Sequence, residues 1–76
     1  MPRYFFEVHD GTFFPDSEGT ELADLPAARI AAVELAGGLL RDGAEAFWRG
    51  HNWRVDVKDR SGAVLFALHF HATQAA

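Results

Sequence analysis

Apolar and polar side chains alternate from the third residue. Tyr4, Phe6 and Val8 fall on one side of an extended segment, and Arg3, Phe5, Glu7 and His9 on the other. A period of two, carried by aromatic and β-branched residues, predicts a strand over residues 3–9. Phe5 breaks the pattern by placing an aromatic ring on the polar side. Both faces of this strand therefore need an apolar neighbour. Asp10-Gly11 is a hairpin dipeptide, because glycine tolerates positive φ, and a second strand is expected through Thr12, Phe13 and Phe14. Pro15 lacks an amide donor, so this strand lies at an edge or ends there. Asp16-Ser17-Glu18-Gly19 reads as a further turn, after which Thr20, Glu21 and Leu22 extend the strand.

The period then changes. Asp24 suits a helix N-cap and Pro26 the first turn, and Ala28, Ala32, Leu35, Ala36 and Leu39 form one stripe at helical spacing. Gly37-Gly38 weakens the helix by about 1 kcal/mol per glycine. Burial of Leu39 and Leu40 predicts continuation to about Arg41 or Glu45, with Gly43 as an alternative stop. Gly50-His51-Asn52 is expected as a loop. Beyond it Trp53, Val55 and Val57 alternate with Arg54, Asp56 and Lys58 in a half-buried strand, and Asp59-Arg60-Ser61-Gly62 makes a turn. Residues 64–70 are apolar at nearly every position, which reads as a central strand.

The expectation is an α+β domain, ββαββ, with one long helix on one face of a four-stranded sheet. The first and fourth strands are the most apolar, so the predicted sheet order is 2-1-4-3, with those two strands parallel neighbours. The inward set is then Tyr4, Phe6, Val8, Trp53, Val55, Val57, Val64, Phe66, Leu68 and Phe70. It requires an odd pairing sum and a four-residue loop in the second hairpin. A three-residue loop with a bulge would turn Leu65 and Ala67 inward instead, and register stays open at this point. Residues 1–72 form the single domain and 73–76 a frayed tail.

Composition narrows the function classes. The 76 residues include no cysteine, so disulfides and thiolate metal sites are excluded and a reducing compartment fits. Seven basic against eleven acidic residues give a net charge of −4, with the cations scattered singly. That argues against a sequence-independent grip on phosphate backbone. No apolar run reaches the ~20 residues of a membrane-spanning helix, and no signal-peptide pattern opens the chain, so a cytoplasmic protein is expected.

Three blocks carry a resemblance: the opening P-R-Y-F-F-x-V-x-D-G, the middle P-D-x-E-G-x-E-L-x-D-L-x-A-A-R, and the final W-x-V-x-V-x-D-x-x-G-x-V-L. They lie at Tyr4 to Gly11, Pro15 to Arg29 and Trp53 to Leu65 and span nearly the whole chain. The chain resembles a family of small uncharacterised alphaproteobacterial proteins, classed as a domain of unknown function. The resemblance implies no activity, cofactor or partner. Glu7 stands where the family commonly has histidine, and His9 and His69 are not typical of it, so the histidines here carry no family-wide role.

Three constellations remain. His9, His69 and His71, with Glu7, fall on the outer sheet face, His69 and His71 about 7 Å apart at i, i+2. Imidazoles with a carboxylate suit zinc or nickel. The plainer reading, polar residues on a solvated face, is preferred because tight ligand spacing is missing. Trp48, Arg49, His51 and Arg54 form a possible aromatic-basic ligand patch, against which stands a hydrophobic lid over the sheet end. Phe5, Leu65 and Ala67 lie on the face a single helix leaves uncovered, a natural self-association surface. Asp10, Asp16, Glu18 and Asp24 each have a local turn, loop or capping task, and no nucleophile–base pair is visible, so no catalytic residue is assigned.

The expected role is a non-enzymatic protein-interaction or self-associating module, a homodimer or the binder of another protein, needing no cofactor. The competing readings are a metal or small-ligand binder using the outer-face histidines and, more remotely, a regulatory protein contacting nucleic acid through Arg49 and Arg54.

Overall fold

Tyr4 is 6% exposed, and it anchors the strand predicted around it, β1 (Arg3–His9). The structure, a computed structural model, describes residues 1–50 and 52–75. Among these, β1 is followed by two short segments, β2 (Phe13–Phe14) and β3 (Thr20–Glu21), then α1 (Leu25–Asp42), α2 (Ala44–Gly50), β4 (Asn52–Lys58) and β5 (Val64–His71). The predicted second strand is thus one edge interrupted by a loop. Both pieces pair antiparallel with β1, β2 through Val8 and His9 and β3 through Arg3 and Tyr4. In the gap between them the Asp16 carboxylate accepts from the backbone N–H of Phe6 at 3.0 Å, taking the place of a strand carbonyl.

The mixed α+β class stands, and the sheet is antiparallel. The order is β2-β1-β4-β5, with β3 also on β1. This corrects the predicted 2-1-4-3 arrangement. The strand at 52–58 is central and the very apolar strand at 64–71 is an edge. β1 pairs antiparallel with β4, Phe6 opposite Val57 and Val8 opposite Val55. The parallel contact predicted between the first and last strands does not form. The reason is physical. β4 looks half-polar, but Lys58 and Asp56 find Glu7 and His9 on β1, and Arg54 finds Asp56 on its own strand, so it can lie in the middle. Composition had ranked it too low.

Because β3 and β4 both run antiparallel to β1, they run in one direction on opposite sides of it. A connection of that kind needs a helical crossover, which α1 and α2 supply. The single long helix is therefore corrected to two. Asp24 caps α1, its carboxylate accepting from Ala27 N–H at 3.0 Å. The helix stops at Gly43, whose N–H reaches the Leu39 carbonyl at 2.9 Å. A Cβ at Gly43 would stand 2.7 Å from the Trp53 ring, so the chain needs glycine at the elbow between the helices. Trp53 in turn meets the Phe47 ring of α2 edge-on at 5.4 Å.

Ala28, Ala32 and Ala36 are buried at i, i+4 and i+8. Their small side chains let α1 lie close on Tyr4, Val55 and Val57, and Phe6, Val8, Leu39, Phe66, Leu68 and Phe70 pack around this centre. Val55 and Val57 are 2% and 0% exposed, and each contributes roughly 1.5–3 kcal/mol by leaving water. Leu35, expected in the stripe, is 38% exposed, because the alanine line rather than the Leu35 side meets the sheet. The β4–β5 pairing keeps an odd sum from Asn52–His71 to Val57–Phe66, as the inward set required. A bulge then sets Val64 opposite Lys58. Val64 therefore turns to the outer face, 55% exposed, against the expectation that it points inward.

Candidate functional site

The face of the sheet away from the helices is ruled by register. Phe5, Lys58 and Val64 form one row across β1, β4 and β5; Glu7, Asp56 and Ala67 the next; His9, Arg54 and His69 the third; and Asn52 faces His71. Position alternation in β4 sets Arg54, Asp56 and Lys58 on this face, opposite in direction to Trp53, Val55 and Val57.

Asp56 is the hub. It is 8% exposed, and its two oxygens lie 3.2 Å from His9 Nε2 and 2.9 Å from Arg54 Nε. Neither contact has hydrogen-bond geometry, so the attraction between Arg54 and Asp56 is coulombic rather than directional. Two residues along the same pair of strands, Lys58 Nζ sits 2.7 Å from Glu7 Oε1. Two acids and two bases thus compensate one another over the centre of the sheet, with His9 between them. Ring stacking of His9 on Phe13 at 4.7 Å holds the imidazole from the other side.

Glu7, His9 and Asp56 each present a ligand atom within 4.8 Å of the others. These three residue types suit a divalent cation in principle. Here the carboxylates are already engaged by Lys58 and Arg54, and a cation would have to release both. Of the residues singled out as metal ligands, the structure brings Glu7 and His9 together. It keeps His69 and His71 apart from them, because β4 lies between β1 and β5. His69 sits beside Arg54, and His71 Nδ1 contacts Asn52 Oδ1 at 2.6 Å. Asp56, the residue that completes the group, was missed by sequence reasoning. Only the β1–β4 register could have revealed it, since Asp56 is far from Glu7 along the chain.

The predicted self-association patch is split in the same way. Phe5 is two strands away from Leu65 and Ala67, with Lys58 and Asp56 between. Its ring is half-buried under its own chain, where the loop before β3 brings Gly19 onto it. Leu65 is 41% exposed and Ala67 half-buried. The aromatic-basic patch is divided too. Trp48 and Arg49 lie on α2, while Arg54 faces the far side of the sheet beside Asp56. His51 lies outside the described residues.

Two further features emerge. An open groove of about 430 Å³ runs between α1 and the interrupted edge, lined by Phe6, Val8, Phe14, Pro15, Ala31 and Leu35. Around the first bend of that edge, Asp16 accepts from Phe6, Glu18 and Gly19 amides at 3.0, 3.2 and 2.9 Å. Burial pushes the Asp16 carboxyl up, but the Gly19, Phe6 and Glu18 amides and the Arg3 charge outweigh it and hold the group below the usual carboxylate range.

No helix among the described residues is long and apolar enough to cross a membrane. No curated protein matches the chain, and no solved structure does. One protein family does match, over residues 3–71, and that span takes in every strand, both helices and the outer-face charge network. The chain therefore belongs to the family described as Domain of unknown function (DUF6894).

Proposed function

We propose that this domain is a non-enzymatic protein-interaction module of the cytoplasm that works by associating with itself. The observation that carries the reading is the amount of apolar side chain left in water. Along β5, Val64 is 55% and Leu65 41% exposed, and Phe66, Leu68 and Phe70 beside them are only half-buried. Large apolar residues so open, on a chain this small, mark surfaces that gain from a partner. Total accessible surface is 5157 Å², against about 4,600 Å² expected for a folded chain of this mass. A domain below about 80 residues with no disulfide to staple it has a further reason to associate.

The polar residues point the same way. The outer-face acids Glu7 and Asp56 are each held by a cation, and the serines sit in turns beside Asp59 or Asp16, with no histidine hydrogen-bonded to either among the described residues. A cysteine-free chain suits a reducing compartment. Sedimentation equilibrium over a hundredfold concentration range tests the reading. A mass rising from the 8.4 kDa of one chain toward twice that value is expected. A mass fixed at 8.4 kDa throughout would overturn it.

A further inference from the structure

The two edges of the sheet are built differently. On one side, β2 and β3 are two residues each, separated by Pro15 and by a loop whose Asp16 carboxylate occupies the Phe6 amide. Short segments, a proline and a side chain filling a backbone site are the devices that keep an edge from recruiting another strand. On the other side, β5 runs eight residues, Val-Leu-Phe-Ala-Leu-His-Phe-His, and pairs with β4 alone among the described residues. It carries no proline, lysine, arginine or acid. Its one bulge lies at the Val64 end, which leaves 65–71 regular. Phe66, Leu68 and Phe70 remain half-buried, while Val55 and Val57 beside them are closed.

We infer that β5 is the association surface, and that it pairs antiparallel with β5 of a second copy to make one continuous sheet. This rests on the self-association reading above and names its site. A second copy is the occupant because the strand is complementary to itself. On a chain of net charge −4 it is a strip without acid or lysine, so two copies meet with no like charges opposed.

Symmetry fixes the register. A two-fold axis through an antiparallel pair sets the helices of both copies on one side of the sheet, so inward residues must face inward residues and the pairing sum must be even. Centring on Ala67 would oppose Phe70 to Val64, which the bulge has turned to the outer face. Centring on Leu68 avoids this. Leu68 then meets its own equivalent, Phe66 meets the second copy's Phe70, and on the outer face Ala67 meets the second copy's His69. The inward phenylalanines and Leu68, half-exposed in one chain, become a shared extension of the core. A backbone pair alone falls short of the ~1,000 Å² a stable interface buries, so these side chains are a required part of it.

The chain has no cysteine, which allows a clean test on the full-length protein. Leu68→Cys is expected to form a covalent dimer under mild oxidation, since directly opposed Cα atoms in an antiparallel pair lie about 4.5–5.5 Å apart, within disulfide reach. Phe5→Cys, on the far strand, is expected not to. As a variant that leaves the core untouched, Ala67→Lys with His69→Lys sets lysines directly opposite lysines and should return the protein to 8.4 kDa with its far-ultraviolet dichroism unchanged. If the wild type associates but the lysine variant still does, and Leu68→Cys does not cross-link, the β5 assignment is overturned while self-association stands. A wild type that is monomeric throughout overturns both.

Discussion

The carboxylate of Asp16 accepts a hydrogen bond from the backbone N–H of Phe6, ten residues earlier, at 3.0 Å. One side chain thereby closes the gap in the edge strand, and its other oxygen gathers the Glu18 and Gly19 amides. Asp16→Ala leaves three amides to find water and is expected to lower stability by about 2 kcal/mol, read as a fall in the urea midpoint. Asp16→Asn, which keeps an acceptor oxygen, should lose less.

The same geometry sets an acid limit. Asp16 is held below the ordinary carboxylate value of 3.8, burial being outweighed by its amide partners and Arg3. Asp59 is likewise lowered, first by the Ser61 hydroxyl at 2.6 Å and, against an opposing effect of burial, by the Ala63, Ser61 and Gly62 amides. A carboxyl with a depressed folded pKa binds fewer protons than in the unfolded chain. Its contribution is present above the unfolded value and lost as pH falls through the folded one. Stability should therefore be level from neutrality to about pH 5 and decline below about pH 4. In Asp16→Ala the decline should be shallower, as urea titrations at several pH values would show.

Gly19 has φ +71, and a Cβ there would stand 2.8 Å from the Phe5 ring. Gly19→Ala meets both the left-handed backbone penalty of about 1 kcal/mol and the ring clash. A total loss of roughly 2–3 kcal/mol is expected by thermal or urea unfolding. Adding Phe5→Ala removes the ring part of the clash and leaves the Arg3 stem, 2.9 Å from the same Cβ, so the double variant should be more stable than the sum of the two single losses predicts.

Asp56→Ala removes the anion between two buried nitrogens, Nε2 of His9 and Nε of Arg54. Arg54 is 42% exposed at its side chain and His9 31%, so water offsets part of the loss, and about 1–2 kcal/mol is expected. Lys58→Met removes the one base that Glu7 touches, in a pair 29% and 14% exposed, and should cost less than losing the residue that serves two bases. Equal losses in the two variants would show that Asp56 is not the hub.

Zinc is expected to leave the melting temperature of the wild-type protein unchanged at neutral pH. Glu7 and Asp56 would have to give up Lys58 and Arg54 to bind it. A rise with saturating zinc, absent in His9→Ala, would instead establish the Glu7, His9 and Asp56 group as a metal site.

Much of this fold was legible in local pattern. Period two gave β1 and β4, the alanine spacing gave the buried stripe of α1, and Asp24 gave its cap. These depend on short-range chemistry that each segment carries with it. The inward set held except for Val64, because alternation survives until a bulge resets it, and a bulge has no signature in the strand it interrupts. The second helix was missed because Gly43 and Gly50 read as ends of structure, whereas Gly43 is kept for its approach to Trp53.

The candidate site was barely legible. Glu7 and His9 stood out, but Asp56 did not, since its importance comes from which strand lies beside β1. Sequence by itself determined the strands, the helix and the side of each that turns inward, because those follow from backbone periodicity and the exclusion of apolar groups from water. Only the tertiary structure decided the order of the strands. Lateral order depends on how charges on neighbouring strands compensate one another, and that is a property of pairs rather than of segments. The decision moved the most apolar strand of the chain from the centre of the sheet to its edge.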